Sequence, residues 1–236
     1  MSKKEKKEIV RFEDIKDDPI ALLKASYQAI VQTLTGIFSS KPRELILSLG
    51  YIFQRTHGTE FLLTFIEELK RYREKGKIPE NYFDTEQCKE CLQELLDYLD
   101  KALPDEITFT LLKKIFLVAA TEKKSTRESL LPQHYIRIIR KLSPGAILIL
   151  NAVFQVVREG YDPNERGARA WLIKIAEKSS LKWVELVENY EEELINNKLI
   201  TNRQHSDRSG VYLGNYYRLT ELGYNLCHYI ENYEEE

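Results

Sequence analysis

The last third of the chain has an order of elements that few folds accommodate. Residues 165–233 read as a helix, a tight turn, a second helix, a strand, a polar hairpin, a returning strand and a final helix. The second helix closes on residues 194–200 (LINNKLI), and the returning strand runs into residues 217–223 (YRLTELG). A turn rich in Ser, Asp and Gly at 206–210 separates the strands. A single short hairpin between helices therefore has to pack on a helical core.

This arrangement resembles the winged-helix domains of the broad MarR- and PadR-like class. The resemblance rests on the polar helix end followed by Leu-Ile at 199–200, the hairpin, and the Leu-Thr-x-x-Gly motif at 219–223. It covers only about the last third of the chain. It implies a module that binds nucleic acid or another protein, and a final helix that mediates self-association, so that a homodimer is one expectation.

The rest of the chain is predicted to be helical. With seven prolines and ten glycines in 236 residues, few positions break a helix, and apolar residues recur at helical spacing. Ser143-Pro144 is a strong helix start. We predict a mainly α fold, with an N-terminal helical bundle over residues 1–142, of which 1–16 form a tail, and a winged-helix-like domain over residues 143–236.

Capping patterns fix several helix ends in this prediction. Asp84 with Gln87 three residues later resembles a capping box, and Thr220 is placed at the cap of the final helix. Gly76 and Gly160 follow helical stretches at the position where a left-handed residue commonly ends a helix.

The compartment is predicted from cysteine use and from the absence of targeting patterns. The three cysteines form a sparse, odd set, residues 1–8 carry no apolar stretch, and no apolar run approaches the roughly 20 residues that span a bilayer. These features favour a cytoplasmic protein that does not bind membranes.

The predicted helix 181–197 occupies the position of a recognition helix, and its outward side is acidic. Its core side is predicted to carry Val187 and Leu194, with Glu191 marginal, and Glu193 is placed on the outside. The candidate partner-binding residues are Lys182, Glu185, Glu188, Asn189 and Glu192. Several carboxylates beside a polyanion repel it, so this face favours a protein partner over DNA. The alternative is a solvated face with no partner.

Basic residues elsewhere supply the candidates for nucleic-acid binding. They are Arg203, His205 and Arg208 in the wing, and Lys113, Lys114, Lys123, Lys124, Arg127, Arg137, Arg140 and Lys141 in a basic stretch. Such a stretch can bind phosphates of RNA or DNA. It can equally dock the acidic C-terminal helix of the same chain or of a second copy, or remain solvated.

Chemistry-bearing motifs are scarce. Cys88 and Cys91 form a C-x-x-C pair inside an amphipathic helix, where spacing i, i+3 favours two small core residues over a zinc or thiol site. The sequence has no phosphate loop and no H-E-x-x-H pattern. We therefore expect no catalytic, metal or cofactor site.

The leading hypothesis is a non-enzymatic adaptor subunit. Residues 65–151, with the stretches KGKIPE, LPDE, KKIF and LSP, are loosely similar to uncharacterised bacterial helical proteins, some of which resemble phage-defence accessory proteins. That similarity implies a role in a bacterial multi-protein system of the defence type. The first alternative is a winged-helix transcriptional regulator that binds DNA. The second is a thiol or redox protein that uses Cys88 and Cys91.

Overall fold

The computed structural model describes residues 56–79, 81–99, 104–122, 130–160, 168–202, 204–207, 210–213 and 218–233. The chain divides into two units, residues 1–74 and residues 75–236. The described residues are mainly helical, which confirms the predicted fold class at that level. None of their helices is long and apolar enough to cross a bilayer.

In the first unit the structure describes one helix, α1 (Thr56–Glu74). Leu62, Phe65 and Leu69 are buried at the spacing expected of one helical face. Gly76 follows the helix with a φ of +69°, which confirms its predicted role at the helix end.

The second unit begins with a 3-10 turn and three helices. The turn is Tyr82–Asp84, and the helices are α2 (Glu86–Leu99), α3 (Glu106–Thr121) and α4 (Leu131–Ile139). All three helices pack against one another. Their contact buries a continuous set of large side chains: Leu92, Leu95, Leu112, Ile115, Phe116, Ile136 and Ile139.

The caps of α2 and α3 are set by neighbouring polar residues. Thr85, not Asp84, caps α2, because the Thr85 hydroxyl accepts a hydrogen bond from the Cys88 amide at 3.2 Å. Asp84 belongs to the preceding 3-10 turn, so the predicted cap was one residue early. Asp105 caps α3 by accepting from the Thr108 amide at 2.7 Å.

The central helix of the second unit is α5 (Pro144–Arg158). Ser143 caps it by accepting from the Ala146 amide, as predicted, and Gly160 follows it with a φ of +73°. Helix α5 contacts α3 and the three later helices that the structure describes. The predicted domain boundary between residues 142 and 143 stays a prediction, and it falls inside the second unit.

The remaining described elements are two helices, two short strands and a final helix. They are α6 (Ala168–Lys178), α7 (Val184–Asn196), β1 (Gln204–Asp207), β2 (Gly210–Leu213) and α8 (Glu221–Glu231). The strands pair antiparallel, with His205 opposite Tyr212. An isolated antiparallel bridge joins Ile200 to Leu219. Helix α8 packs on α3 and α5.

The Leu-Thr-x-x-Gly motif fastens the start of α8 to the segment after α7. Thr220 caps α8 as predicted, since its hydroxyl accepts from the Gly223 amide at 3.0 Å. The Thr220 amide donates to the Leu199 carbonyl at 3.0 Å. A Cβ on residue 223 would lie 2.2 Å from that same carbonyl oxygen, so only glycine permits the close approach.

Candidate functional site: the outward face of α7

A tight turn sets the direction of α7 relative to α6. Ser180 adopts a left-handed conformation with a φ of +60°, and the Ser179 hydroxyl donates to the Ile175 carbonyl at 2.7 Å. Residues 181–183 then run without helical structure, and α7 begins at Val184. The helix was predicted to begin at Leu181, so Lys182 lies before it rather than on it.

The inward face of α7 is held by apolar burial. Val187 and Leu194 are completely buried. Trp171 and Ile175 of α6 are at most 1% exposed. Lys198, two residues after the last residue of α7, is left-handed with a φ of +60°, and the Leu199 amide donates back to the Leu194 carbonyl at 2.9 Å. Both ends of α7 are therefore fixed by backbone geometry as well as by packing.

Glu191 lies in that inward face and forms a buried ion pair with Arg218. The two side chains are 2% and 6% exposed. The Arg218 guanidinium also donates to the Thr201 carbonyl, at 3.1 Å from Nε and 2.9 Å from Nη2. The Trp171 indole N–H donates to Glu191 at 3.4 Å. Glu191, predicted to be marginal, is thus a buried polar centre that links α6, α7 and the segment before α8.

Glu193 also points inward, contrary to the prediction that placed it outside. Its carboxylate accepts from the Ser143 amide and from the Ser143 hydroxyl, both at 2.6 Å. It therefore sits at the N-terminus of α5, where the helix dipole stabilises negative charge. Nearby, a Cβ on Gly145 would lie 2.1 Å from the Tyr190 ring, so α7 and the start of α5 pack in close contact.

The outward face of α7 is exposed, as predicted. Its residues recur at i, i+3, i+4 and i+7, which is one helical stripe: Glu185, Glu188, Asn189 and Glu192. Lys182 is also exposed, just before the helix. We call these five residues together with Trp183 the α7 face.

Trp183 is the residue of the α7 face that sequence reasoning missed. It occupies the N-cap position of α7, makes no side-chain capping hydrogen bond, and is 65% exposed. Its position after a turn and before a helix start was the available signal. An exposed tryptophan beside charged residues is a typical anchor of protein interfaces.

Two residues of the basic stretch form ion pairs with α2. Arg137 Nε donates to Glu94 of α2 at 2.6 Å, and Arg140 binds the other oxygen of the same carboxylate. Arg140 also lies 3.8 Å from Asp97. The intramolecular alternative placed the basic stretch against the acidic C-terminal helix, whereas these two residues pair with α2.

The other nucleic-acid candidates lie on several elements or outside the described residues. Lys113 and Lys114 are half-buried on α3, and the Lys114 ammonium lies 5.0 Å from the centre of the Tyr233 ring. Lys141 is exposed and His205 is in β1. The remaining candidates lie outside the described residues: Lys123, Lys124, Arg127, Arg203 and Arg208.

The C-x-x-C pair is buried in the core of α2. Cys88 and Cys91 are 1% and 0% exposed and are not joined by a disulfide. Burial, with added repulsion from Glu90 and Glu94, raises the pKa of the Cys91 thiol to about 12. A thiol with such a pKa is a poor nucleophile near neutral pH, which favours the core interpretation. No cluster of three or more metal-ligating side chains occurs in the part of the chain that the structure describes.

No family model, no curated protein and no solved structure significantly matches this chain.

Proposed function

We propose that this protein is a non-enzymatic adaptor that binds a protein partner through the α7 face. The observation that carries the proposal is the exposed acidic stripe of α7, flanked by the exposed Trp183. A stripe of carboxylates around a large aromatic anchor suits a partner surface that has basic residues around an apolar pocket.

We also infer that residues 143–236 form a winged-helix module. Helices α5, α6 and α7 pack together, two antiparallel strands follow in the chain, and a bridge pairs Ile200 before these strands with Leu219 after them. The close approach of Gly223 to the Leu199 carbonyl gives a physical reason for the Leu-Thr-x-x-Gly motif. In this interpretation α7 occupies the recognition position and β1 and β2 are the wing.

The charge of α7 favours protein over DNA. A helix that enters the major groove needs donors toward base edges and cations toward phosphates. The α7 stripe offers carboxylates at three of its four positions, and each would lie near a polyanion. Arg137 and Arg140, which could have supplied cations elsewhere, already bind Glu94.

A charge-reversal pair tests the proposal. In Glu188→Lys/Glu192→Lys, partner capture from source cells by the tagged full-length chain should fall at least about tenfold, because like charges now meet across the contact. The matched control is Glu67→Lys/Glu177→Lys, which makes the same change of charge at exposed positions of α1 and α6. Quantitative mass spectrometry of the captured proteins gives the readout. Equal loss in both variants would refute a specific role of the α7 face.

Truncation of the aromatic anchor gives a second test. Trp183→Ala should weaken the same partner by about 2 kcal/mol or more if the indole enters a pocket. Leu130→Ala is the matched control, because Leu130 is 62% exposed and lies outside the α7 face. An unchanged affinity for Trp183→Ala would show that Trp183 is not an anchor. The contribution of the acidic stripe would then be decided by the charge-reversal variants.

Fluorescence anisotropy with duplex DNA and with RNA, at low and physiological salt, tests the regulator alternative. Salt-sensitive binding to duplex DNA that is lost in Arg203→Ala/Arg208→Ala would overturn the adaptor proposal in favour of a regulator. The adaptor proposal expects no such binding even at low salt.

A further inference from the structure

A groove lies in the second unit between α3, α5 and α8. None of its lining residues belongs to the α7 face. It encloses about 520 Å³, within the range of roughly 300–1,000 Å³ that small-molecule sites occupy. We call it the α3–α5–α8 groove.

Most of the surface of this groove is aliphatic. Its base is formed by buried side chains such as Ile147, Leu150 and Phe154, and its walls by the half-buried Leu111 and Ile230. Such a lining gains free energy only by excluding water, so it suits an alkyl chain better than a polar metabolite.

The length of the groove is set by α3. Glu106 and Lys114 both line it, and the eight-residue separation corresponds to about 12 Å along the helix axis. At carbon–carbon bond lengths of about 1.5 Å, an extended chain of roughly eight to ten carbons covers that distance. The groove is therefore long enough for a medium-length alkyl chain with a polar group at one end.

The charges around the groove differ in how they are compensated. Glu231 binds Arg158, and Glu106 is exposed in the first turn of α3, where the helix dipole stabilises a carboxylate. Lys114 is half-buried against the Tyr233 ring, and no carboxylate among the described residues lies within ion-pair distance of it. Asn151 adds an amide to the lining. Among the described lining residues Lys114 is the only cation, and it is the feature that selects a ligand.

We propose that the α3–α5–α8 groove binds a medium-chain aliphatic carboxylate, with its head group at Lys114 and its chain along the apolar lining. Lys114 then acts as a ligand-binding residue rather than as part of a nucleic-acid surface. The head group gains a charge-assisted hydrogen bond from the ammonium, and the chain loses its contact with water. This inference does not depend on the α7 face, and its test uses the isolated protein.

Isothermal titration with submicellar sodium decanoate tests the proposal on the full chain. Saturable one-to-one binding is expected, with octanoate about tenfold weaker because two methylene groups are lost. Decylammonium chloride carries the same chain with the opposite charge and should bind at least about tenfold more weakly. No saturable binding of decanoate, or equal binding of decylammonium, would overturn the proposal.

Three variants locate the ligand. Lys114→Gln should weaken decanoate about tenfold, whereas Lys141→Gln, which removes an exposed cation outside the groove, should not. Ile107→Trp adds bulk to a groove-lining side chain that is 37% exposed, and it should abolish binding without disturbing the core. Circular dichroism melts verify that each variant is folded. Unchanged affinity in a folded Lys114→Gln or a folded Ile107→Trp places the ligand elsewhere and refutes the assignment.

Discussion

The two sides of α7 carry the same residue type with opposite consequences. On the inward side, Glu191 binds Arg218 and Glu193 binds Ser143, so these carboxylates join α7 to the segment before α8 and to the start of α5. On the outward side, Glu185 and Glu192 are exposed. Neighbouring glutamates on one helix thus serve the fold or face solvent, and only their angular position decides which.

The contact between α2 and α4 shows how charged side chains pair within this protein. Glu94 is 14% exposed and receives both Arg137 and Arg140, and Asp97 adds a second carboxylate nearby. Opposite charges there are brought together across two helices. The α7 stripe is built differently, with carboxylates at i, i+3 and i+7 and no lysine among its positions on the helix. That contrast supports an external partner for α7.

The largest expected effect is on the inward side, from Glu191→Leu. The change removes the carboxylate partner of the buried Arg218 guanidinium, and breaking a buried pair costs about 3–5 kcal/mol. Urea unfolding of the full chain measures the loss. The double variant Glu191→Leu/Arg218→Met should recover most of it, because both charges are removed. A loss below about 1 kcal/mol in the single variant would mean that water reaches the pair.

A steric change on the same side should have an intermediate effect. Gly145→Ala places a methyl group inside the Tyr190 ring, which must move, and overpacking of this kind costs about 1–3 kcal/mol. The gain in helix propensity from alanine, up to about 1 kcal/mol, opposes part of the loss. Combining it with Tyr190→Ala in a double-mutant cycle should show favourable coupling. Additive effects would indicate that α5 and α7 are not in close contact at this point.

A smaller effect is expected from Glu193→Ala. The variant loses two hydrogen bonds to Ser143 and a negative charge at the N-terminus of α5. Because the site is half-buried, water replaces part of the interaction, and we expect a loss of about 1 kcal/mol in the free energy of unfolding. Ser143→Ala should cost a similar amount, since it removes both the cap and one of these bonds. Full additivity of the two would contradict the observed contact.

Local chemistry explains what could be predicted from the sequence. Ser143 and Thr220 cap helices because the hydroxyl of each accepts a hydrogen bond from the amide three residues later. Gly76 and Gly160 adopt left-handed conformations within one turn of the end of the preceding helix. The same kind of pattern misplaced one cap, since Asp84 and Thr85 are adjacent and both accept amides well. The 3-10 turn at Tyr82–Asp84 decides between them.

Partners that are distant in sequence could not be predicted in this way. Glu191 and Arg218 are 27 residues apart, and Glu94 and Arg140 are 46 residues apart. Spacing within one helix says which side a residue faces but not which charge it meets there. The exposure of the outward stripe depends on that side alone, so it was predicted correctly while the roles of Glu191 and Glu193 were not.

The smallest effect on stability, and the sharpest separation of the two sides, is expected from Glu192→Lys. In the native chain Glu188 and Glu192 are like charges at i, i+4, an arrangement that costs a helix roughly 0.2–0.5 kcal/mol. Lysine at 192 turns that repulsion into an i, i+4 pair in the favoured order and adds a cation near the C-terminal end of α7. Urea unfolding should therefore show a gain of about 0.5 kcal/mol, while partner capture falls. If replacing the Glu192 carboxylate strengthens the fold and weakens binding, the role of this carboxylate is in binding. A Glu192→Lys variant that loses stability, or that keeps its partner, would instead assign the outward stripe to the fold or to solvent.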